Sequence, residues 1–200
     1  MGPPFAGPMA VAVGDFNGDG IPDLAAADFE YRAGSLEMRR TAGMVVALGT
    51  GDGSFPQHYS TALGAATAAQ IALADLDRDG KLDAVVICAD PNIAAVLKGK
   101  GDGTFEAPVR IELPAPGAAI LAADLNGDGI PDLVMGQDAG LLVALGNGDA
   151  TFQAPSSIPL GAAPVAIRPA DLNADGIPDL AVAGVSDASF SIGTVSILLG

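Results

Sequence analysis

The chain has one cysteine, no tryptophan and one histidine among 200 residues, and aromatic residues make up only 4%. A lone Cys88 excludes an internal disulfide. It lies in the apolar run Ala84-Val85-Val86-Ile87-Cys88-Ala89, where a small buried hydrophobe is expected rather than a nucleophile. With His58 alone, and that in an expected outer strand, there is no basis for a histidine-centred catalytic triad. Bases are scarce too: nine Lys and Arg stand against 24 Asp and Glu, a formal charge of −15. No basic stripe exists to meet phosphates, so nucleic acid is not an expected partner. No apolar run reaches the eighteen or so residues of a membrane span. The opening Met1-Gly2-Pro3-Pro4-Phe5 carries no signal-peptide pattern.

What is present is repetition. Asp15 to Asp23 reads DFNGDGIPD, Asp75 to Asp83 DLDRDGKLD, Asp124 to Asp132 DLNGDGIPD, and Asp171 to Asp179 DLNADGIPD. Oxygen side chains stand at positions 1, 3, 5 and 9, and glycine always at 6: Gly20, Gly80, Gly129 and Gly176. A hard cation requires such a pattern. Calcium takes six to eight oxygens at roughly 2.3–2.6 Å, and alternate side chains of a tight loop can converge on it. Position 7 would give its backbone carbonyl, so its side chain can vary. The expected ligands are Asp15, Asn17, Asp19, Ile21 and Asp23 in the first loop, and Asp75, Asp77, Asp79, Lys81 and Asp83 in the second. They are Asp124, Asn126, Asp128, Ile130 and Asp132 in the third, and Asp171, Asn173, Asp175, Ile177 and Asp179 in the fourth. Up to four Ca²⁺ are expected, one per loop. Thirteen of the 24 acids belong to these loops, so metal sites account for much of the acidity. An EF-hand would need a glutamate at position 12. Here that position is Ala26, Val86, Met135 or Val182, so the loop opens into a strand. The alternative to metal is four Asp/Asn/Gly turns that bind nothing.

The loops start 60, 49 and 47 residues apart, a period of propeller blades or solenoids. A short apolar strand precedes each loop, a second starts at its last Asp, and a third follows. These runs read as strands buried on both faces. The many alanines suggest closely packed sheets. Each third strand enters a second repeated turn: Gly49 to Phe55, Gly99 to Phe105 and Gly146 to Phe152. Asp-Gly here signals a hairpin, and Ala150 in place of its glycine implies mild strain. Phe55, Phe105 and Phe152 are read as packing residues between blades. A fourth, outer strand of mixed polarity closes each repeat. Repeats are expected over about 9–63, 64–116, 117–162 and 163–200, within a single partial propeller spanning 1–200.

The alternation of DxNxDGxPDL with VxLGxGDGTF resembles the FG-GAP and VCBS repeat families, which are related to the propeller repeats of integrin alpha subunits. The resemblance covers about residues 9–200. It implies an all-β fold of four-stranded antiparallel blades, with calcium between strands one and two and usually seven blades per ring. It also implies mostly extracellular or cell-surface roles in adhesion and recognition. A protein or glycan ligand is expected, and the residues themselves, with no convergent catalytic set, point to a module without catalysis. This sequence departs from the family in two ways. Its last repeat stops at Leu199-Gly200, so a fourth, incomplete blade is expected, with an open edge completed by further blades or another chain. The first repeat carries an insertion between its second and third strands, about residues 29–43, with Phe29, Tyr31, Arg32, Arg39 and Arg40 as candidate contacts for a ligand. The competing functional class is a calcium-dependent polysaccharide lyase, for which Arg168 is the candidate base.

Overall fold

The computed structural model describes residues 9–31, 40–186 and 193–200, and within them every regular element is a β-strand. Consecutive strands meander into antiparallel sheets. The first sheet holds β1 (Ala10–Gly14), β2 (Asp23–Tyr31), β3 (Arg40–Leu48) and β4 (Gln57–Ala62). The second holds β5 (Thr67–Ala74), β6 (Asp83–Ala89), β7 (Ile93–Leu97) and β8 (Val109–Glu112). The third holds β9 (Gly117–Ala123), β10 (Asp132–Gln137), β11 (Gly140–Ala144) and β12 (Ser156–Pro159). The fourth holds β13 (Ala163–Ala170), β14 (Asp179–Val185) and β15 (Gly193–Leu198). The architecture is therefore all-β and built of blades. Each second strand starts at the ninth residue of an acidic loop, as the repeats predict.

Two compact units emerge. One comprises residues 1–75 and 79–114, and so the first two sheets. The other comprises 76–78 and 115–200, and so the last two. In the first unit, side chains from both sheets form one core. Ala25, Ala27 and Ala42 meet Val86, Ala95 and Leu97 there. Small side chains permit this close approach: a carbon added at Gly14 would come within 2.3 Å of Leu82 Cδ2. In the second unit Val134, Leu141, Ile167 and Val182 form the corresponding core. Cys88 is fully buried in the first core, and desolvation pushes its thiol up to about 12, which fits the packing role.

A register shift recurs six residues before the loop in three sheets, between Ala68 and Gln70, between Pro164 and Ala166, and opposite Gly136/Gln137 in β9. Such bulges bend a strand locally.

Burial corrects one expectation. The central strands β6, β7 and β10 are buried along both faces, but β1 and β15 alternate. Val11 and Val13 are each 62% exposed and Val195 is 75% exposed. Apolar content specified a strand there but not a cover for its second face. The outer strands β4, β8 and β12 are mostly exposed, as expected of edges. The first repeat's insertion also differs from a plain loop. The β2–β3 ladder continues through Phe29↔Ala42 and Tyr31↔Arg40, so part of it lengthens the hairpin. Residues 32–39, with Arg32 and Arg39, lie outside the described residues.

In the first unit the repeated turn latches the second sheet to the first acidic loop. Gly103 N–H donates to the carbonyl of Phe16, the second residue of the first loop, at 2.9 Å. Ala150 N–H donates to the equivalent Leu76 carbonyl at 3.3 Å. Phe105 packs edge-on against Phe16 with centroids 5.9 Å apart, so it holds the packing role assigned to it. Phe55 and Phe152 are only half-buried. Ala150 adopts φ 64°, the left-handed conformation its sister glycines Gly53 and Gly103 take at 86° and 85°. The strain expected of that alanine is thus present.

Candidate metal centre

Each acidic loop is wound by its own carboxylates. In the first, Asp15 Oδ1 accepts from the amides of Asn17, Gly18 and Asp19, and Oδ2 from Gly20 at 2.8 Å. Those amides, that of Gly20 foremost, hold the Asp15 carboxyl below its usual range. Asp19 Oδ1 accepts from Ile21 N–H at 2.7 Å. The third and fourth loops repeat these bonds around Asp124 and Asp171. Folding back so tightly requires positive φ at position 6 and also at position 4. Gly18 and Gly127 supply position 4 in two loops, while Arg78 (φ 62°) and Ala174 (φ 64°) occupy it in the others. The pattern Gly, Arg, Gly, Ala at position 4 carried that signal only faintly. Ala174 is exposed, so Ala174→Gly is expected to raise stability by up to about 1 kcal/mol, read as a higher urea midpoint. An unchanged or lower midpoint refutes the strain.

The ninth residue behaves differently from the rest. Asp23, Asp83, Asp132 and Asp179 are at most 1% exposed. Asp23 Oδ2 accepts from Phe16 N–H and Oδ1 from Gly49 N–H, both at 2.8 Å. Asp132 does the same with Leu125 and Gly146, and Asp179 with Leu172 and Gly200. Asp83 Oδ1 accepts from Gly99 N–H at 2.7 Å. The Gly200 and Leu172 amides hold Asp179 below the usual carboxylate range. This aspartate thus pins the loop to the exit of the third strand, a role that sequence pattern alone did not separate from ligation. Each carboxylate oxygen has a second lone pair, so the pin does not preclude a cation.

The second loop gathers carboxylates most directly. Oxygens of Asp75, Asp77 and Asp83 all lie within 4.8 Å of one another. In the other three loops position 3 is asparagine, whose Nδ2 donates to the Oδ2 of the position-5 aspartate. The pairs are Asn17–Asp19 at 2.8 Å, Asn126–Asp128 at 2.9 Å and Asn173–Asp175 at 2.8 Å. Asp77 has no such hydrogen to give. There Lys81 Nζ lies 2.6 Å from Asp79 Oδ2, and Lys81, by hydrogen bond first, lowers the Asp79 pKa.

The side chains at positions 1, 3, 5 and 9 offer hard oxygen, and in the second loop three of them come together. That chemistry suits calcium better than a soft metal. A cleft of about 570 Å³ in the first unit runs past the first two loops and is lined by Asp15, Asp75, Lys81, Val13 and Leu73. His58 lies on the exposed strand β4. Arg168 is exposed on β13 and donates to its neighbour's carbonyl, Ile167 O, at 2.8 Å.

Comparison with known proteins identifies the repeats. A model of the FG-GAP-like repeat matches residues 84–135 and 124–182, and one of the FG-GAP repeat matches 7–36. No curated protein matches the chain. Among solved structures, an Agrocybe aegerita lectin described for specific recognition of non-reducing terminal N-acetylglucosamine aligns at 18% identity and TM-score 0.46. That alignment covers 94% of this chain and 65% of the lectin chain. The Photorhabdus luminescens Tc holotoxin pore aligns at 16% identity and TM-score 0.45, covering 87% of this chain and 11% of the toxin chain.

Proposed function

Because the chain belongs to the FG-GAP repeat family, we propose that it is a calcium-stabilised, non-catalytic propeller module that recognises a protein or glycan outside the cytosol. The observation that carries this reading is the second loop, where Asp75, Asp77 and Asp83 bring carboxylate oxygens within 4.8 Å of one another, in a pattern of oxygens at positions 1, 3, 5 and 9 that the sequence repeats four times. Calcium would be held by the twenty positions named above, through side chains at four and the carbonyl of Ile21, Lys81, Ile130 or Ile177. Its charge would neutralise carboxylates that otherwise repel each other.

Extracellular modules of this kind bind with constants near 10⁻⁴–10⁻³ M, so about 2 mM calcium adds roughly 0.6–1.8 kcal/mol per site. The same constants would leave the sites empty at cytosolic calcium, which supports a location outside the cell. Thermal melts in calcium and in chelator test the reading. A rise of several degrees with calcium is expected, and superimposable melts overturn it.

Recognition is assigned to the lengthened β2–β3 hairpin around residues 29–43, since extra segments on a rigid scaffold commonly carry binding. Glycan and protein arrays probed with the whole chain, and with residues 32–39 replaced by a short Gly-Ser link, address this. Hits unaffected by the replacement place recognition elsewhere. The edge of β15, which among the described residues pairs only with β14, is where a further strand of the same repeat type would add.

A further inference from the structure

We propose that Lys81 is a built-in counter-ion of the second loop, competing with the divalent cation for Asp79 and setting that loop's affinity apart from the other three. The inference rests on the calcium reading and concerns its regulation at one site.

Three observations converge. First, the position-5 aspartate receives a donor at Oδ2 in every loop, but only the second loop uses a cation. Asn17, Asn126 and Asn173 donate a neutral amide hydrogen, whereas Lys81 Nζ replaces them at 2.6 Å. Second, the lysine is placed rather than loose. A side-chain carbon at Gly101 would come within 2.9 Å of Lys81 Cδ. Ile21 approaches Gly51 and Ile130 approaches Gly148 in the same way. The aliphatic stem thus occupies the isoleucine's place while the ammonium reaches Asp79. Third, the two departures of this loop offset each other. Asp77 adds a carboxylate beside Asp75 and Asp83, and Lys81 adds a positive charge.

A surface ion pair this exposed adds little to stability. Its consequence is competition. A dication that takes Asp79 Oδ2 as ligand must displace the ammonium and remain near it. Removing Lys81 should therefore tighten the loop, and removing Asp77 should weaken it. One unit charge roughly 6 Å from a dication in a water-like dielectric corresponds to about tenfold in affinity.

The test is a calcium chloride titration of the metal-stripped, isotope-labelled chain, following the amides of Gly20, Gly80, Gly129 and Gly176 by NMR. Each glycine reports its own loop. In Lys81→Ile the Gly80 midpoint is expected at about tenfold lower calcium, and in Asp77→Asn at about tenfold higher calcium. The double variant, which restores the other loops' pattern, should return it to within a few-fold of theirs. The other three glycines serve as controls and should not move. Lys81→Gln provides a second charge-removing variant should the isoleucine impair folding. A Gly80 midpoint that stays in place or rises on removal of Lys81, while all four glycines titrate, overturns the proposal and leaves the calcium reading standing. Four glycines that fail to respond to calcium overturn both.

Discussion

Asp132→Ala is expected to lose about 3 kcal/mol of stability, and to lose it in chelator as well as in calcium. Asp132 is fully buried, and its two oxygens accept the amides of Leu125 at 3.0 Å and Gly146 at 2.8 Å. One amide belongs to the loop and the other to the segment after β11, so a single carboxylate joins three pieces of backbone. Alanine would leave the buried Gly146 amide and the part-buried Leu125 amide without an acceptor, at about 1–3 kcal/mol each for buried donors. Asp128→Ala is the control. Asp128 is exposed, its partners Ile130 N–H and Asn126 Nδ2 can turn to water, and in chelator its loss should be small. Urea melts with calcium and with chelator separate the two. If the Asp132→Ala deficit disappears in chelator, the residue is a ligand and not a pin.

Gly99→Ala is expected to cost about 3 kcal/mol or more, or to prevent folding. The added carbon would lie 2.2 Å from the Leu82 carbonyl oxygen and 3.1 Å from its carbon, fixed backbone atoms that have no side-chain freedom to yield. No rotamer relieves such a contact. The same approach recurs at Gly49 against Pro22 O (2.3 Å) and at Gly146 against Pro131 O (2.4 Å), so it belongs to the repeat. Gly80→Ala offers a contrast. Nothing lies within 4 Å of its new carbon, and its φ of 81° alone should cost about 1–2 kcal/mol. Circular dichroism melts rank the two. A Gly99→Ala chain that melts within a couple of degrees of the parent removes the close contact as a constraint.

Much of this was legible in the linear sequence because its determinants are local. Gly at position 6, Asp at positions 1 and 5, and the apolar run after Asp23, Asp83, Asp132 or Asp179 fix the loop and the next strand within one repeat. The pinning role of the ninth aspartate was hidden because its acceptors serve amides that folding brings from elsewhere, 26 residues away for Gly49 and Asp23. The alternating exposure of β1 and β15 was hidden for a related reason. Val11 and Val195 state a preference for burial, but another sheet must provide it. The Lys81–Asp79 contact was partly readable, since Lys81 is the one charged residue at position 7, yet its target depended on the shape of the loop.

The latch between the repeated turn and the preceding acidic loop gives assembly a direction. Phe16 cannot receive the Gly103 hydrogen until the next repeat has been synthesised through its third strand, and Leu76 waits likewise for Ala150. A nascent chain therefore carries one unfinished loop at its growing end while the repeats behind it are already closed. Stability should build by neighbour-to-neighbour increments, as in a one-dimensional array. Translation pausing just before Gly103 or Ala150 would hold the newest socket open, and so lengthen the interval in which the growing end is exposed to mispairing.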